Sequence, residues 1–451
     1  MRRLTFTVTA ILSILGCAAQ SNDNAAQSSD NAAPASLTDA AASGPRVLTL
    51  TDCRELAVKN NAKISIAAGN AEAAEEQRKE AFTKYFPTVS ASATAFASNK
   101  PMISLDLFNV ATLDMLKRGV SANVTAMQPV YAGGRIINAN RLAEVGVEAS
   151  RLELDNATDD VEQTAEKYYW QLVTLKSKRK TLTDVIALVD TLEYQVNVAL
   201  KAGVTTRNEL LKVQLRRNEL RSTMVDLDNG IALSRQLLAQ YVGLDGENID
   251  IDEVETPGDV PPFPTDIYVD PTAALTATND YQLLTKKVKA AELEEKITRG
   301  DNLPTVGVGA GYFYSDALGK SRGFGAVLVN VSVPISGWWG GSHAVKRRKI
   351  ETANARSQMQ DLSQMLCIKM TNAWDDLTSA HRKMEIAKES IGQSAENLRM
   401  NETFFDAGVS NVTDLLDAQA LYRESLDRYT EAYGAYCMAR INYLQATGQG
   451  L

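Results

Sequence analysis

The sequence has few of the residues that enzymes and metalloproteins use for chemistry. Its 451 residues include two histidines and four cysteines. His343 and His381 lie in no metal-binding or nucleophile motif, and we expect both to be solvated helix residues. The cysteines lack metal-site spacing, and the three that follow Cys17 are an odd number for a disulfide framework. We therefore expect no catalytic residue, no metal site and no cofactor.

Aromatic residues and long apolar runs are also scarce. The chain is 45% hydrophobic but only 6% aromatic, a composition typical of long helices and coiled coils. Beyond the N-terminus no apolar run reaches the roughly 18 residues of a membrane-spanning helix. The net charge of -8 comes without a basic block, which argues against a nucleic-acid partner. If this chain crosses a membrane, it must do so with strands.

The N-terminus has the features of an export signal. Arg2 and Arg3 precede a short apolar stretch that ends in Ile14-Leu15-Gly16-Cys17. This ending resembles the lipobox of bacterial lipoproteins, in which the cysteine carries lipid such as palmitate and becomes residue one. The alternative is an ordinary signal cleaved nearby, with Cys17 removed. We expect a signal peptide over 1–16 and a disordered tether over 17–48, since its Ala, Ser, Asn and Asp residues cannot build a core.

Most of the remaining chain is an internal repeat. Ala202-Gly203-Val204 recurs as Ala407-Gly408-Val409, at an offset of 205 residues. Proline and Gly-Gly motifs recur in the same order, which gives a first repeat over 49–245 and a second over 279–448. A segment rich in Pro and Asp, 246–278, links them. The first copy holds twelve extra residues between its two prolines.

Proline is absent from two long stretches, between Val130 and Thr256 and after Pro334. Because proline breaks helix interiors, both stretches are free to be helical. Apolar residues in both step by four and three, over 161–200 and 366–405. This seven-residue period predicts a left-handed coiled-coil seam. Gly203 and Gly408 would end the first helix of each copy, so we predict two helical hairpins.

Between the prolines of each copy the apolar period drops to two. The four segments of about ten residues have the length and alternation of tilted membrane-spanning strands. Soluble hairpins are the alternative. Four strands cannot close a barrel, and open sheet edges are not tolerated in lipid, so several chains must contribute. Two chains would give eight strands and three would give twelve; the small residues on the inner face favour twelve, around a water-filled lumen.

These motifs, in this order, resemble the TolC family of outer membrane efflux proteins over Thr49–Gly448. The resemblance implies an α+β membrane protein that forms a homotrimer. A twelve-stranded β-barrel in outer membrane lipid, with four strands per chain, would continue into a periplasmic twelve-helix coiled-coil α-barrel. It implies a passive exit duct of a tripartite efflux system, with a periplasmic adaptor and an inner-membrane pump. The lipobox favours a pump of the resistance-nodulation-division type. An exit duct for type I protein secretion and a structural periplasmic coiled coil are the alternatives.

The resemblance also implies site residues. The turns at Gly203-Val204 and Gly408-Val409 would be the tips on which the adaptor docks. Asp414 and Asp417 match two aspartates that form constricting rings in the family, whereas Ser410 replaces the arginine that helps to latch its closed state. Residues three apart share a helix face, so three chains would gather six carboxylates, which favour cations. From the residues alone, acidic side chains in a first helical turn also suit the positive helix end.

Overall fold

The computed structural model describes residues 46–100, 103–107, 111–115, 118–252, 258–316, 321–335 and 337–450. The predicted signal peptide, almost all of the predicted tether and the predicted lipidation residue Cys17 lie outside these ranges. Within the described ranges, no helix combines the length and the apolarity needed to cross a membrane.

The described chain consists of two halves with a similar order of elements. The first half contains β1 (Arg46–Leu48), α1 (Leu50–Asn60), α2 (Ala62–Thr83), β2 (Thr88–Ala97), β3 (Ile103–Leu107), β4 (Ala111–Met115), β5 (Arg118–Ala132), α3 (Arg135–Lys201), α4 (Arg207–Tyr241) and β6 (Ile249–Ile251). The second half contains α5 (Pro271–Ala274), α6 (Asn279–Asp301), β7 (Thr305–Ser315), β8 (Arg322–Ser332), α7 (Gly337–Asp406) and α8 (Val412–Thr447).

The four predicted strands form one antiparallel sheet in the order β2-β5-β7-β8. Its register places most valines and alanines of the four strands on one face, because alternate side chains point to opposite faces. Phe313, Phe324 and Leu328 lie on the other face. The first face includes Val89, Val124, Val308 and Val329, and the opposite face includes Ser90, Ser92, Asn123, Thr125 and Asn330. One face is therefore suited to lipid and the other to water. Strands β2 and β8 form the two edges of this sheet.

The additional hairpin β3–β4 lies in the connection between β2 and β5. The matching connection between β7 and β8 spans only 316–321. This hairpin accounts for the extra residues between the prolines of the first repeat, which sequence analysis had noted without predicting strands there.

The long helices lie in the two proline-free stretches, and α3 and α7 end two residues before Gly203 and Gly408. Helix α3 has 67 residues and α7 has 70, so each is about 100 Å long at ~1.5 Å per residue. In α7 the predicted seam is the buried stripe, as shown by Met370, Leu377, Met384 and Leu398. In α3, Leu182, Val189 and Val196 are buried as predicted, but Val185 and Leu192 are more buried than the predicted Ile186 and Glu193. The stripe on α3 is wider because residues of both α4 and α8 pack against it.

The two Gly-Gly motifs differ in their position relative to the helices. Gly133 and Gly134 have positive φ angles, 61° and 76°, and lie directly before α3. A Cβ atom on Gly133 would lie 2.5 Å from the carbonyl oxygen of Gly300, so the close approach of α6 requires glycine there. Gly340-Gly341 lies inside the first turns of α7 instead. The two Gly-Gly pairs therefore differ in their place relative to the helix start.

The start of the described chain is ordered by a small parallel sheet. Residues Arg46–Leu48 pair with Ile249–Ile251, and Thr49 caps α1 by accepting a hydrogen bond from the Asp52 N–H. Leu48, Cys53 and Ala57 are buried in a core with residues of α3 and α4. The prediction of a disordered tether is thus wrong for residues 46–48, because their pairing partner lies some 200 residues away.

Residues 258–269 of the linker lie against α7 and α8. The Nε2 atom of His381 is 2.8 Å from the Pro261 carbonyl oxygen. The Val269 N–H donates to the Tyr443 hydroxyl at 2.9 Å, and the Phe263 ring meets Trp374 at a centroid distance of 5.2 Å. His381 is only 6% exposed, so the expectation of a solvated histidine is wrong; its ring fastens the linker to α7.

Candidate pore entrance at the two helical turns

The two predicted tips are turns of the same geometry. Gly203 and Gly408 have φ angles of 76° and 70°, in the left-handed region that favours glycine. The N–H of Val204 donates to the Ala199 carbonyl at 2.9 Å, and that of Val409 donates to the Phe404 carbonyl at 2.8 Å. Together with a hydrogen bond from each glycine N–H, this pattern is a Schellman motif. The repeated Ala-Gly-Val sequence therefore builds the same sharp helix end twice.

Each turn presents one exposed apolar side chain. Val204 is 81% exposed and Val409 is 76% exposed. Below the turns, residues of α3, α4 and α8 form a buried cluster that includes Val196, Val213 and Leu416. The turns are thus supported by a packed base while their valines remain open to solvent.

The predicted constriction residues lie on the open side of α8. Asp414 and Asp417 are both exposed, whereas Leu415 and Leu416 between them are buried against α3 and α4. The side chain of Asn411 caps the helix by accepting the Asp414 N–H at 3.0 Å. Because Asn411 already satisfies this helix end, the two carboxylates are free to face solvent. The structure brings them together on one helix face, as predicted.

The first turn carries different charges at the matching positions. The offset of 205 residues aligns Glu209 with Asp414 and Lys212 with Asp417. The Nζ atom of Lys212 donates to the Thr413 hydroxyl at 3.0 Å and to Glu209 Oε1 at 3.0 Å. Lys212 therefore links the base of one turn to the base of the other, next to Asp414. The sequence analysis did not identify Lys212, although the offset of 205 residues makes it the equivalent in the first repeat of Asp417 in the second.

The position of the missing arginine carries a buried hydroxyl. Ser410 Oγ is buried and finds no hydrogen-bond partner among the residues that the structure describes, and the Ser410 N–H donates to the Phe404 carbonyl at 3.2 Å. Ser410 thus belongs to the turn and makes no link to the other turn. Over the same described residues, no group of His, Cys, Asp or Glu has a geometry that could hold a metal ion.

Residues 273–449, which hold the second repeat, match the family model described as outer membrane efflux protein. The matched residues make up just under two fifths of the chain. This match confirms the predicted resemblance to the TolC family for the second repeat. No curated protein sequence matches the chain.

Solved structures of outer membrane proteins share the fold of this chain. The outer-membrane channel OprN is 16% identical, with a TM-score of 0.76, over 89% of this chain and 90% of OprN. CusC is 14% identical, with a TM-score of 0.77, over 88% of this chain and 92% of CusC. VceC from Vibrio cholerae is 14% identical, with a TM-score of 0.74, over 88% of this chain and 96% of VceC. The predicted fold class, a membrane channel with four strands and long coiled-coil helices per chain, is confirmed.

Proposed function

We propose that this chain is an outer membrane efflux protein, the exit duct of a tripartite system. It passively conducts cargo that an inner-membrane pump, of the resistance-nodulation-division type, delivers through a periplasmic adaptor. One observation carries the proposal: the two hairpins end in matching Schellman turns, each with one exposed valine on a packed base. A structural coiled coil has no need for an exposed apolar residue at the tip of each of its two hairpins.

The homotrimer follows from the edges of the sheet. Strands β2 and β8 each have one unpaired side within the chain, and unpaired backbone groups are costly in lipid. An antiparallel pairing of β8 with β2 of the next copy satisfies both edges. Three copies give twelve strands and a lumen that the Ser, Thr and Asn face can line.

The entrance constriction is proposed to be formed by Asp414 and Asp417. Both carboxylates are exposed on the face of α8 that points away from the buried cluster. In a trimer, three copies of each would surround the axis and select cations.

Lys212 is proposed to hold the entrance closed in the absence of the arginine latch. Its hydrogen bond to Thr413 joins α4 to α8 within one chain. Outward movement of the second turn requires this bond to break. The bond therefore stabilises the closed entrance slightly relative to the open one.

The adaptor proposal is tested at the exposed valines. Val204→Glu and Val409→Glu place a charge on the docking surface without touching the packed base, so the variants should still fold and insert. Each should reduce co-purification of the cross-linked adaptor, and the double variant should abolish it. Val225→Glu, at an exposed position on α4, is the matched control. Undiminished adaptor capture by the double variant would contradict the docking role of the turns.

A further inference from the structure

A group of apolar side chains lies on the polar face of the sheet, which lines the lumen in the proposed trimer. Phe313, Phe324 and Leu328 are on this luminal face of β7 and β8, among the Ser, Thr and Asn residues of the four strands. Single exposed apolar residues are common, whereas a contiguous exposed group often marks a contact with another molecule. The packing of these side chains shows that they form such a group.

The two phenylalanines form a stacked pair. Phe313 and Phe324 are directly opposite each other in the register of β7 and β8. Their ring centroids are 5.5 Å apart, and the angle between the ring planes is 22°. Phe324 is 57% exposed. The pair therefore presents an open aromatic surface to the lumen, on two strands that are held together by backbone pairing.

Glycines allow the apolar side chains to lie along the sheet. A Cβ atom on Gly311 would lie 3.2 Å from the Phe313 ring, and a Cβ atom on Gly309 would overlap the Met127 sulfur. Gly309 is opposite both Met127 and Leu328 in the register. The apolar surface thus continues along β7 from the stacked rings towards Met127 and Leu328. We call the two phenylalanines, Met127 and Leu328 the luminal patch.

A single positive charge accompanies the luminal patch. Among the described residues of the four strands, Arg322 is the charged residue whose register position places it on the luminal face. It precedes Phe324 by two residues, so both side chains belong to one face of β8. A positive charge next to an apolar surface is complementary to a molecule that joins an acidic group to an apolar body.

We propose that the luminal patch is a contact site for cargo, and that it takes organic anions with a flat apolar body, such as aromatic sulfonates or carboxylates. The apolar body lies on the rings of Phe313 and Phe324, and the acidic group faces Arg322. Three copies of the chain place three such sites at one level of the barrel. The site rests on the proposed duct function and adds to it a class of cargo that the barrel wall contacts.

The test records block of single channels in planar bilayers by 2-naphthalenesulfonate, added on the extracellular side of the full-length protein. From that side the probe reaches the barrel without passing Asp414 or Asp417. Methanesulfonate carries the same acidic group without the rings and is the matched probe. Naphthalenesulfonate should interrupt the current saturably, whereas methanesulfonate at the same concentration should not.

The variants test the rings and the charge separately. Phe313→Ser with Phe324→Ser should weaken the block at least about tenfold, because both ring contacts are lost. Phe324→Leu keeps an apolar side chain in the strand and should weaken the block about threefold. Arg322→Gln should also weaken the block about threefold, the effect expected for an exposed charge. Tyr312→Ser with Tyr314→Ser is the matched control, because these rings flank Phe313 on the opposite face, and it should leave the block unchanged.

The outcomes separate this site from the duct itself, since ion conduction reports the duct and ring-dependent block reports the site. Channels that conduct but are blocked equally by the two sulfonates would refute the site and leave the duct unaffected. Block that survives both phenylalanine variants would do the same. Equal weakening by the tyrosine control would also refute the site, because the effect would then come from a general change in the hairpin. A protein that forms no conducting channel would refute the duct, and the site with it.

Discussion

Removing the Lys212 amino group should favour opening of the periplasmic entrance. In the folded chain its Nζ atom lies 3.0 Å from the Thr413 hydroxyl. A hydrogen bond with one charged partner is worth about 1.5–3 kcal/mol when buried. The Lys212 side chain is 40% exposed, so solvent screening lowers this value to about 1 kcal/mol. The pairing of Lys212 with Glu209, three residues away on the same helix, adds little for the same reason.

A change of about 1 kcal/mol shifts a two-state equilibrium about fivefold. Each chain of the proposed trimer carries one such bond. Lys212→Met should therefore raise the ratio of open to closed dwell times about fivefold for each chain whose turn must move on opening, in single-channel recordings from planar bilayers. Thr413→Val removes the acceptor and should have a similar effect. The double variant should open no more than either single variant, because both remove the same bond.

The control for this prediction is Lys201→Met. Lys201 is the exposed last residue of α3, so its loss changes the charge of the turn by the same amount. If Lys201→Met opens the channel as much as Lys212→Met, the effect comes from the loss of a positive charge. The proposal that the Lys212–Thr413 hydrogen bond holds the entrance closed would then be refuted. A fully additive double variant, or a silent Thr413→Val, would refute it as well.

Three further changes test other parts of the molecule. Asp414→Ala with Asp417→Ala should weaken cation selectivity and abolish block by trivalent cations; selectivity and block that both persist would leave the carboxylates as helix-end residues only. Cys17→Ser should abolish metabolic labelling with a clickable fatty acid while the protein stays in the outer membrane fraction, and labelling that survives would exclude this lipidation site. Glu166→Ala leaves the Arg54 guanidinium without its buried partner and should lower the free energy of unfolding by about 3 kcal/mol, against about 0.5 kcal/mol or less for the exposed Glu76→Ala, as measured by urea titration.

The long helices were predictable because their sequence signals are local and repeated. The proline-free stretches show where long helices can form, and the seven-residue period and the Ala-Gly-Val motifs each act over a few turns of helix. Together they predicted that the first helix of each hairpin ends at Gly203 and Gly408, and α3 and α7 end two residues before these glycines. The strands were predictable for a similar reason, since a period of two sets the face of each residue. The exact face of α3 that is buried in the coiled coil was less predictable. Val185 is buried because a second helix packs there, and the pattern of one helix does not report its neighbours.

The features that were missed depend on contacts between distant residues. Strand β1 has three residues and takes its order from β6, far along the chain, so no local pattern marks it. His381 is buried by a linker segment that has little regular structure. The site at the turns was only partly predictable. Two aspartates could be placed on one helix face from their spacing. The hydrogen bond from Lys212 to Thr413 could not be predicted, because it depends on how the two hairpins are aligned along their axes.

The charge difference between the two turns has a consequence for stoichiometry. A trimer of this chain would present six turns that alternate between an acidic kind and a kind that carries Lys212. The ring would be only quasi-equivalent: sixfold in backbone shape and threefold in chemistry. A single kind of adaptor arriving at six such positions would meet two classes of groove with different affinities. Assembly would then proceed in two occupancy steps, with three adaptors bound before the other three, and the half-occupied complex would be a distinct species.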